Sequence, residues 1–180
     1  MNAIDRFVAK RAVRQGRTLI VGSKIHEGTD KPDRRKLFDS AVGIDMEEGQ
    51  GVDRVLDLEI ALPDPVEELG QFAHVECTSV LEHSRRPWLM ATNIERLMRE
   101  DATILLLVPW VWRLHQYPGD YWRMTPQAVE SLFPSIVWDD PKYIVEDEIV
   151  DKPPNLRANG IRWMARSELI MFGRKCSSTS

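Results

Sequence analysis

Cysteine is scarce in this chain: Cys77 and Cys176 are the only two among 180 residues. Two thiols cannot build a disulfide framework. With Cys77 in an apolar stretch and Cys176 in a polar tail, both read as free thiols of a reducing, cytoplasmic setting. The four histidines, His26, His74, His83 and His115, are scattered. Neither a Cys-x-x-Cys nor a His-x3-His pairing occurs, so no metal site is expected. Long apolar runs are missing as well. The longest, Ile104 to Trp112, is broken by Pro109 and falls far short of the roughly 20 residues that span a bilayer. Residues 1–17 are charged and hold no apolar stretch of the secretory kind. A basic excess is also absent. The formal net charge is −4, and Arg34-Arg35-Lys36 and Arg85-Arg86 read as solvated loop charges, so no nucleic-acid partner is indicated.

Several catalytic signatures are lacking too. There is no Gly-x-Ser-x-Gly elbow for a serine nucleophile. There is no Gly-x-Gly-x-x-Gly turn for a dinucleotide, and Pro32 falls where a phosphate-cradling helix would run. The acidic pairs Glu47-Glu48 and Asp139-Asp140 are adjacent in sequence and point apart, so they do not make an acid/base couple.

What is present is a series of short apolar runs, each closed by a small, acidic or proline residue. Thr18 to Val21 ends at Gly22, Ala41 to Ile44 at Asp45, and Val52 to Leu56 at Asp57. Phe72 to Cys77 leads into Thr78-Ser79, and Thr103 to Val108 ends at Pro109. Runs of this length and composition are the mark of buried parallel strands. Tyr143 to Val150 and Trp163 to Phe172 read as two more. Between them, Pro87 to Arg99 places Trp88, Leu89, Ile94, Leu97 and Met98 at helical spacing. Thr125-Pro126-Gln127 opens a second helix to about Phe133, with Thr125 as N-cap and Pro126 in the first turn. The gaps between the first three strands are too poor in periodicity for full helices. The expected fold is α/β: a doubly wound, Rossmann-like sheet of about seven strands, mostly parallel with an antiparallel edge strand. One domain, residues 18–173, would follow an N-terminal helical extension (1–17) and precede a disordered tail (174–180).

In such a sheet ligands bind beyond the carboxyl ends of the strands, near the point where strand order reverses. Gly22 lets a ligand approach the backbone closely. Asp45, about 20 residues on, is placed to accept from both hydroxyls of a ribose. At Asp57-Leu58 a carboxylate can accept from an adenine amino group while leucine packs on the ring. Gly, Asp and Asp at three successive strand ends describe an adenosyl pocket.

The blocks Val42-Gly43-Ile44-Asp45-Met46, Gly51 to Leu58, Ser79-Val80-Leu81-Glu82-His83 and Pro87-Trp88 together resemble class I S-adenosylmethionine-dependent methyltransferases of the methyltransferase type 11 family. Glu95 to Met98 and the run from Val108-Pro109 through His115, Pro118, Asp120 to Arg123 and Thr125 carry the same likeness, which covers roughly residues 18 to 133. The resemblance implies S-adenosylmethionine as cofactor. Gly22 and Ser23 would line its methionine end, and Asp45 would hold the ribose. Met46 would pack near the adenine, Asp57 and Leu58 would contact it, and Ser79 and His83 would border the methyl donor. Departures occur at Ile20, where the family has an acid, at Lys24, where it has a second glycine, and at Arg99 to Ala102, where it has a Gly-Gly pair.

A sulfonium methyl is already activated, so the chain must hold an acceptor in line with it and exclude water. The candidates after the fifth strand are His115, Asp120 and Tyr121 as catalytic residues, with Tyr117 and Arg123 as substrate contacts. His115 would take a proton and Arg123 would anchor an acidic acceptor. The competing reading makes this aromatic segment a packed loop with a structural Asp120–Arg123 ion pair. Two functions stand at this point: a methyltransferase for a small-molecule or saccharide-like acceptor, and a catalytically silent cofactor-binding or interaction protein on the same fold. The tryptophan-rich region after the fifth strand reads as monomer core, or as the surface of a homodimer.

Overall fold

The short apolar runs pair side by side, the central ones buried on both faces. Strand β1 (Thr18–Val21) is buried along its whole length, as is β4 (Phe72–Thr78). The computed structural model describes residues 3–10, 16–28, 32–62, 71–115, 119–152 and 166–176. It contains one sheet, to which β2 (Ala41–Asp45), β3 (Arg54–Val55), β5 (Met98–Val111), β6 (Ile136–Trp138), β7 (Lys142–Val145), β8 (Glu148–Val150) and β9 (Ser167–Lys175) also belong. The strand order is β3-β2-β1-β4-β5-β9-β7-β8, with β6 paired to β9. Strands β1 to β5 are parallel. Strand β9 runs antiparallel against β5, β6 and β7. The chain builds outward from β1 to β3, then returns to β4 and builds the other way. The reversal lies between β1 and β4, with Val21 beside both Ile44 and Cys77, and this is the crevice that parallel sheets use for ligands.

The expected doubly wound α/β sheet with an antiparallel edge is what forms, with nine strands among the described residues rather than about seven. The run 143–150 makes two strands instead of one. Glu146 and Asp147, both at positive φ, turn the chain into a β7–β8 hairpin. Strand β6 comes from a short segment after Phe133 in which no strand is expected. Strand β3 shrinks to two exposed residues at the sheet edge. Strand β9 continues through Lys175, and residues 177–180 of the expected tail lie outside the described residues.

Alternation along the strands sends side chains to two opposite layers. Val75 and Cys77 of β4, Ile104, Leu106 and Val108 of β5, and Leu169 and Met171 of β9 share one core with helices α2 (Pro87–Leu97) and α3 (Pro126–Leu132). Helix α2 supplies Met90, Ala91, Ile94 and Leu97 to it, positions i, i+1, i+4 and i+7 on one face of an amphipathic helix. It stops two residues earlier than its periodicity predicts because Met98 adopts extended backbone (φ −84°, ψ 130°) and enters β5. Helix α3 begins as expected: the Thr125 hydroxyl accepts from the Ala128 N–H at 3.2 Å.

Leu105 and Leu107 of β5, with Ile144 and Ile170, face the other way and pack under α1 (Ala3–Lys10) through Ala3, Phe7 and Val8. Between α1 and the sheet lies a buried ion pair. Arg34 grips Glu76 with two bonds, 2.5 and 2.9 Å, and reaches Asp5 of α1 at 2.9 Å. A charge at the centre of a sheet is tolerated only when paired and hydrogen-bonded in this way.

Candidate functional site

A cavity of about 410 Å³ opens at the carboxyl ends of β1, β2 and β4. Its wall at β1 is Val21-Gly22 and its wall at β2 is Ile44-Asp45-Met46. The loop after β3 contributes Leu56 to Glu59, and the turn after β4 contributes Ser79, Val80 and His83. Seven of the eight residues expected to hold a cofactor therefore meet at one site. The eighth, Ser23, turns away: its side chain lies against the Cα of Gly43, and its backbone N–H donates to the Ile44 carbonyl at 3.0 Å.

Each strand end is fixed for a physical reason. Gly22 has φ +68°, and a Cβ there would strike Val80. Only glycine passes this point with its backbone bare to the cavity. The Asp45 carboxylate is held by two backbone donors, Lys24 N–H at 3.1 Å and Glu47 N–H at 3.2 Å. A carboxylate has about four acceptor sites, so two hydroxyls can still be received. Lys24 itself turns out to pair with Glu47, at 2.6 Å. Asp57 caps its own turn by accepting from Glu59 N–H at 2.7 Å. The adjoining backbone is pinned from below by a residue that periodicity does not single out. Asn93, buried on α2, donates to the carbonyls of Leu58 (3.0 Å) and Ile60 (2.8 Å). Leu58 is buried beneath the cavity while Met46 is exposed at its rim. Ser79, at φ +55°, holds a left-handed conformation rare outside glycine. Such strain is found where the surroundings over-determine the backbone.

The opposite wall comes from the far half of the sheet: Trp112, His115, Arg166 and Glu168. The Arg166 guanidinium lies 3.6 Å from the centre of the Trp112 ring, a cation–π contact. Burial raises the Glu168 carboxyl above the usual range.

The segment 119–123 takes up a different position. The Asp120 side chain is wholly buried and binds the Arg123 guanidinium in a fork at 2.5 and 2.8 Å. It also accepts from the His115 N–H at 2.9 Å. The Arg123 hydrogen bonds hold its carboxyl well below the ordinary carboxylate range. Arg123 spends its remaining donors on the carbonyls of Trp112, Arg113 and Trp122. Tyr121 is exposed and its hydroxyl accepts from Arg85 Nε at 2.9 Å. Of the three candidate catalytic residues, His115 lines the cavity; Asp120 lies against His115 outside the lining, and Tyr121 is on the surface against Arg85. Tyr117 lies outside the described residues.

Glu82 has no assigned role in the sequence reading. It is 1% exposed, next to His83 in the turn after β4, and burial pushes its carboxyl up to about 7, helped by the nearby Asp120 charge. The Leu-Glu-His block showed where to look, but nothing in it says that the glutamate points inward.

No family model matches the chain, and no curated protein sequence matches it. Solved structures do. The chain is similar to the 1,6-didemethyltoxoflavin-N1-methyltransferase of Burkholderia thailandensis, a structure with 1,6-didemethyltoxoflavin and S-adenosylhomocysteine bound, at TM-score 0.65. That match has 13% identity over 96% of this chain and 76% of the other. It is similar to the N-methyltransferase NodS of Bradyrhizobium japonicum in complex with S-adenosylhomocysteine, at TM-score 0.62 and 8% identity over 97% and 87% of the two chains. An S-adenosylmethionine-dependent methyltransferase of Archaeoglobus fulgidus matches at TM-score 0.54 and 11% identity over 96% and 93%. The fold is that of the class I S-adenosylmethionine-dependent methyltransferases. Among the described residues no helix is long and apolar enough to cross a membrane.

Proposed function

We propose that this protein binds S-adenosylmethionine in the cavity beside Gly22 and transfers its methyl group to a small-molecule acceptor. The observation that carries the reading is the convergence of Gly22, Asp45 and Asp57 on one cavity, each locked by backbone geometry rather than left as a free surface side chain. The donor set fits the cofactor. Asp45 keeps acceptor capacity for two ribose hydroxyls, Asp57 keeps its second oxygen for an amino group, and Leu58 gives the ring an apolar seat. The volume lies within the range of small-molecule pockets, roughly 300–1,000 Å³. When bound, the cofactor supplies an electrophilic methyl on a positively charged sulfur.

The chain's own contribution is placement and charge. Asp45, Asp57, Glu47, Glu59 and Glu168 all line the cavity, and their field favours a cation there. His83 and His115, with ring centres 5.0 Å apart, stand between the adenosyl side and the Trp112–Arg166 wall. An acceptor held against that wall faces an imidazole able to receive its proton. Asp120 and Arg123 serve as positioning residues, holding His115 rather than touching substrate. The titratable wall and the small volume suit a small acceptor with an ionisable O–H, N–H or S–H.

Calorimetric titration of the full chain with S-adenosylmethionine and S-adenosylhomocysteine tests this. Binding at one site is expected, and Asp45→Ala weakens it by on the order of 100-fold, the loss of two charge-assisted hydrogen bonds. NAD, offered as a control, finds no phosphate cradle and does not bind. No heat with either adenosyl ligand, or an unchanged affinity in Asp45→Ala, removes the basis of the reading.

A further inference from the structure

The four histidines are spread through the sequence, yet the fold brings two of them onto one buried carboxylate. Glu82 Oε1 lies 3.8 Å from His83 Nε2 and 3.8 Å from His115 Nε2. One donor atom from each of the three residues lies within 4.8 Å of the others. Both Glu82 oxygens are buried and have no hydrogen-bond partner among the described residues. Buried polar atoms are nearly always satisfied, so this carboxylate is waiting for something.

The imidazoles show what. His83 Nδ1 meets the carbonyl oxygen of Gly119. His115 Nδ1 meets the Asp120 carboxylate at 3.1 Å and the Arg113 carbonyl at 3.3 Å. Carbonyls and carboxylates of this kind only accept, so each Nδ1 carries the hydrogen. Each Nε2 then presents a lone pair, and both lone pairs converge on the Glu82 oxygens. Either a proton on Glu82 or a cation fills such a cluster of acceptors, and two nitrogen lone pairs converging on one carboxylate is the arrangement a metal cation takes. An oxygen acceptor behind each ring, here a backbone carbonyl and a buried carboxylate, is the outer support that metal-bound histidines carry.

We infer that Glu82, His83 and His115 form a binding site for a first-row divalent metal ion of the zinc class, with at least one coordination position open to the cavity. Two imidazoles and one carboxylate are a donor set that zinc and its neighbours take, and that Mg²⁺ does not prefer. An ion about 2.1 Å from each donor sets the donors roughly 3.4 Å apart, so the two 3.8 Å separations must close by about 0.4 Å and the widest one by up to about 1.4 Å, movements that side-chain rotation supplies. His83 and His115 line the cavity while Glu82 lies buried behind them, which leaves the open position on the cavity side. On the function proposed above, that position is where an acceptor heteroatom would sit; with both Nε2 atoms on the metal, acidification of that heteroatom takes the place of proton transfer to a free imidazole. Metal binding itself does not depend on that reading.

The test is equilibrium dialysis of chelator-treated full-length protein against Zn²⁺ in excess Mg²⁺. Bound metal is counted by mass spectrometry, and Co²⁺ substitution is followed by its visible absorption. One ion per chain is expected. His115→Ala, a change at a partly exposed side chain that leaves the core intact, lowers affinity by roughly 100-fold or more, as does Glu82→Gln. Asp120→Asn, acting through His115, lowers it by about 10- to 100-fold. Cys176→Ser removes the exposed thiol and changes nothing. Circular dichroism on every variant separates lost binding from lost fold. Failure of the wild-type protein to retain Zn²⁺ at micromolar free metal overturns the inference, and so does wild-type affinity in folded His115→Ala. A parallel S-adenosylmethionine titration on the same samples reports the cofactor site independently, so the two readings fail separately.

Discussion

His74 is a charge-capable group buried where charge is not welcome. It sits at the centre of β4, 1% exposed, with Phe38 at 5.6 Å and Phe172 at 6.3 Å from its ring centre. Its Nδ1 bonds the Thr103 hydroxyl at 2.8 Å, and its Nε2 is buried with no partner among the described residues. Burial, with the Arg34 charge adding to it, pushes the imidazole from 6.5 down to about 3. Between those values the unfolded chain binds a proton that the folded chain refuses. Stability therefore rises with pH in this window. The contribution is complete above about pH 6.5 and is lost progressively as pH falls toward 3. At 1.36 kcal/mol per unit, two units of acidification from 6.5 cost about 2.7 kcal/mol. The perturbation is His74→Leu, which removes the titration and keeps an apolar side chain. Urea unfolding at neutral pH and near pH 4.5 gives the change in stability for each protein. Carboxylates shared by both cancel in the difference, and the wild type should lose about 2.7 kcal/mol more than the variant. Equal losses would mean that His74 takes up its proton inside the fold, and would refute the reasoning.

Glu76→Gln strips the Arg34 guanidinium of its forked partner and leaves a buried charge served by Asp5 alone. A loss of about 3–5 kcal/mol in urea unfolding is expected, whereas Glu130→Gln at an exposed position of α3 should stay within about 0.5 kcal/mol. Gly43→Ala places a Cβ against the Gly51 carbonyl and the Ser23 side chain. Backbone cannot retreat as a side chain can, so about 1–3 kcal/mol of stability should go. Because Gly43 lies two residues before Asp45, calorimetry should show weaker S-adenosylmethionine binding beyond what the stability loss explains.

What could be read in the sequence follows what is buried on both sides. Strands β1, β2 and β4 are legible because a strand covered on both faces is written as an unbroken apolar run, and a single glycine, aspartate or serine marks where it leaves the sheet. The edges are less legible. Strand β3 is an exposed pair at the rim, so its apolar neighbours Val52 and Leu56 overstate it. The β7–β8 hairpin turns on Glu146 and Asp147 at positive φ, residues that carry no turn signal of the Asn-Gly kind. Asp45 and Asp57 could be nominated because their position depends only on where a strand ends. Glu82 and Asn93 could not, because what matters is the direction of a side chain toward a partner far along the chain.

The segment from Gly119 to Arg123 shows why two readings of it competed. One made it a packed loop with a structural ion pair, the other a supplier of functional groups. The Gly119 carbonyl fixes the ring of His83, and the Asp120 carboxylate fixes the ring of His115. The Tyr121 N–H donates to the Glu82 carbonyl at 2.7 Å, and the Trp122 indole donates to the Ser84 carbonyl at 2.7 Å. Arg123 locks Asp120 in turn. These bonds are structural, and those made by the Gly119 carbonyl, by Asp120 to His115, by the Tyr121 N–H and by the Trp122 indole end on the turn after β4 or on the histidines that frame the cavity. Packing and site construction are the same contacts here. A variant such as Arg123→Gln, at a side chain outside the cavity lining, should therefore weaken both the order of the loop and the alignment of His115.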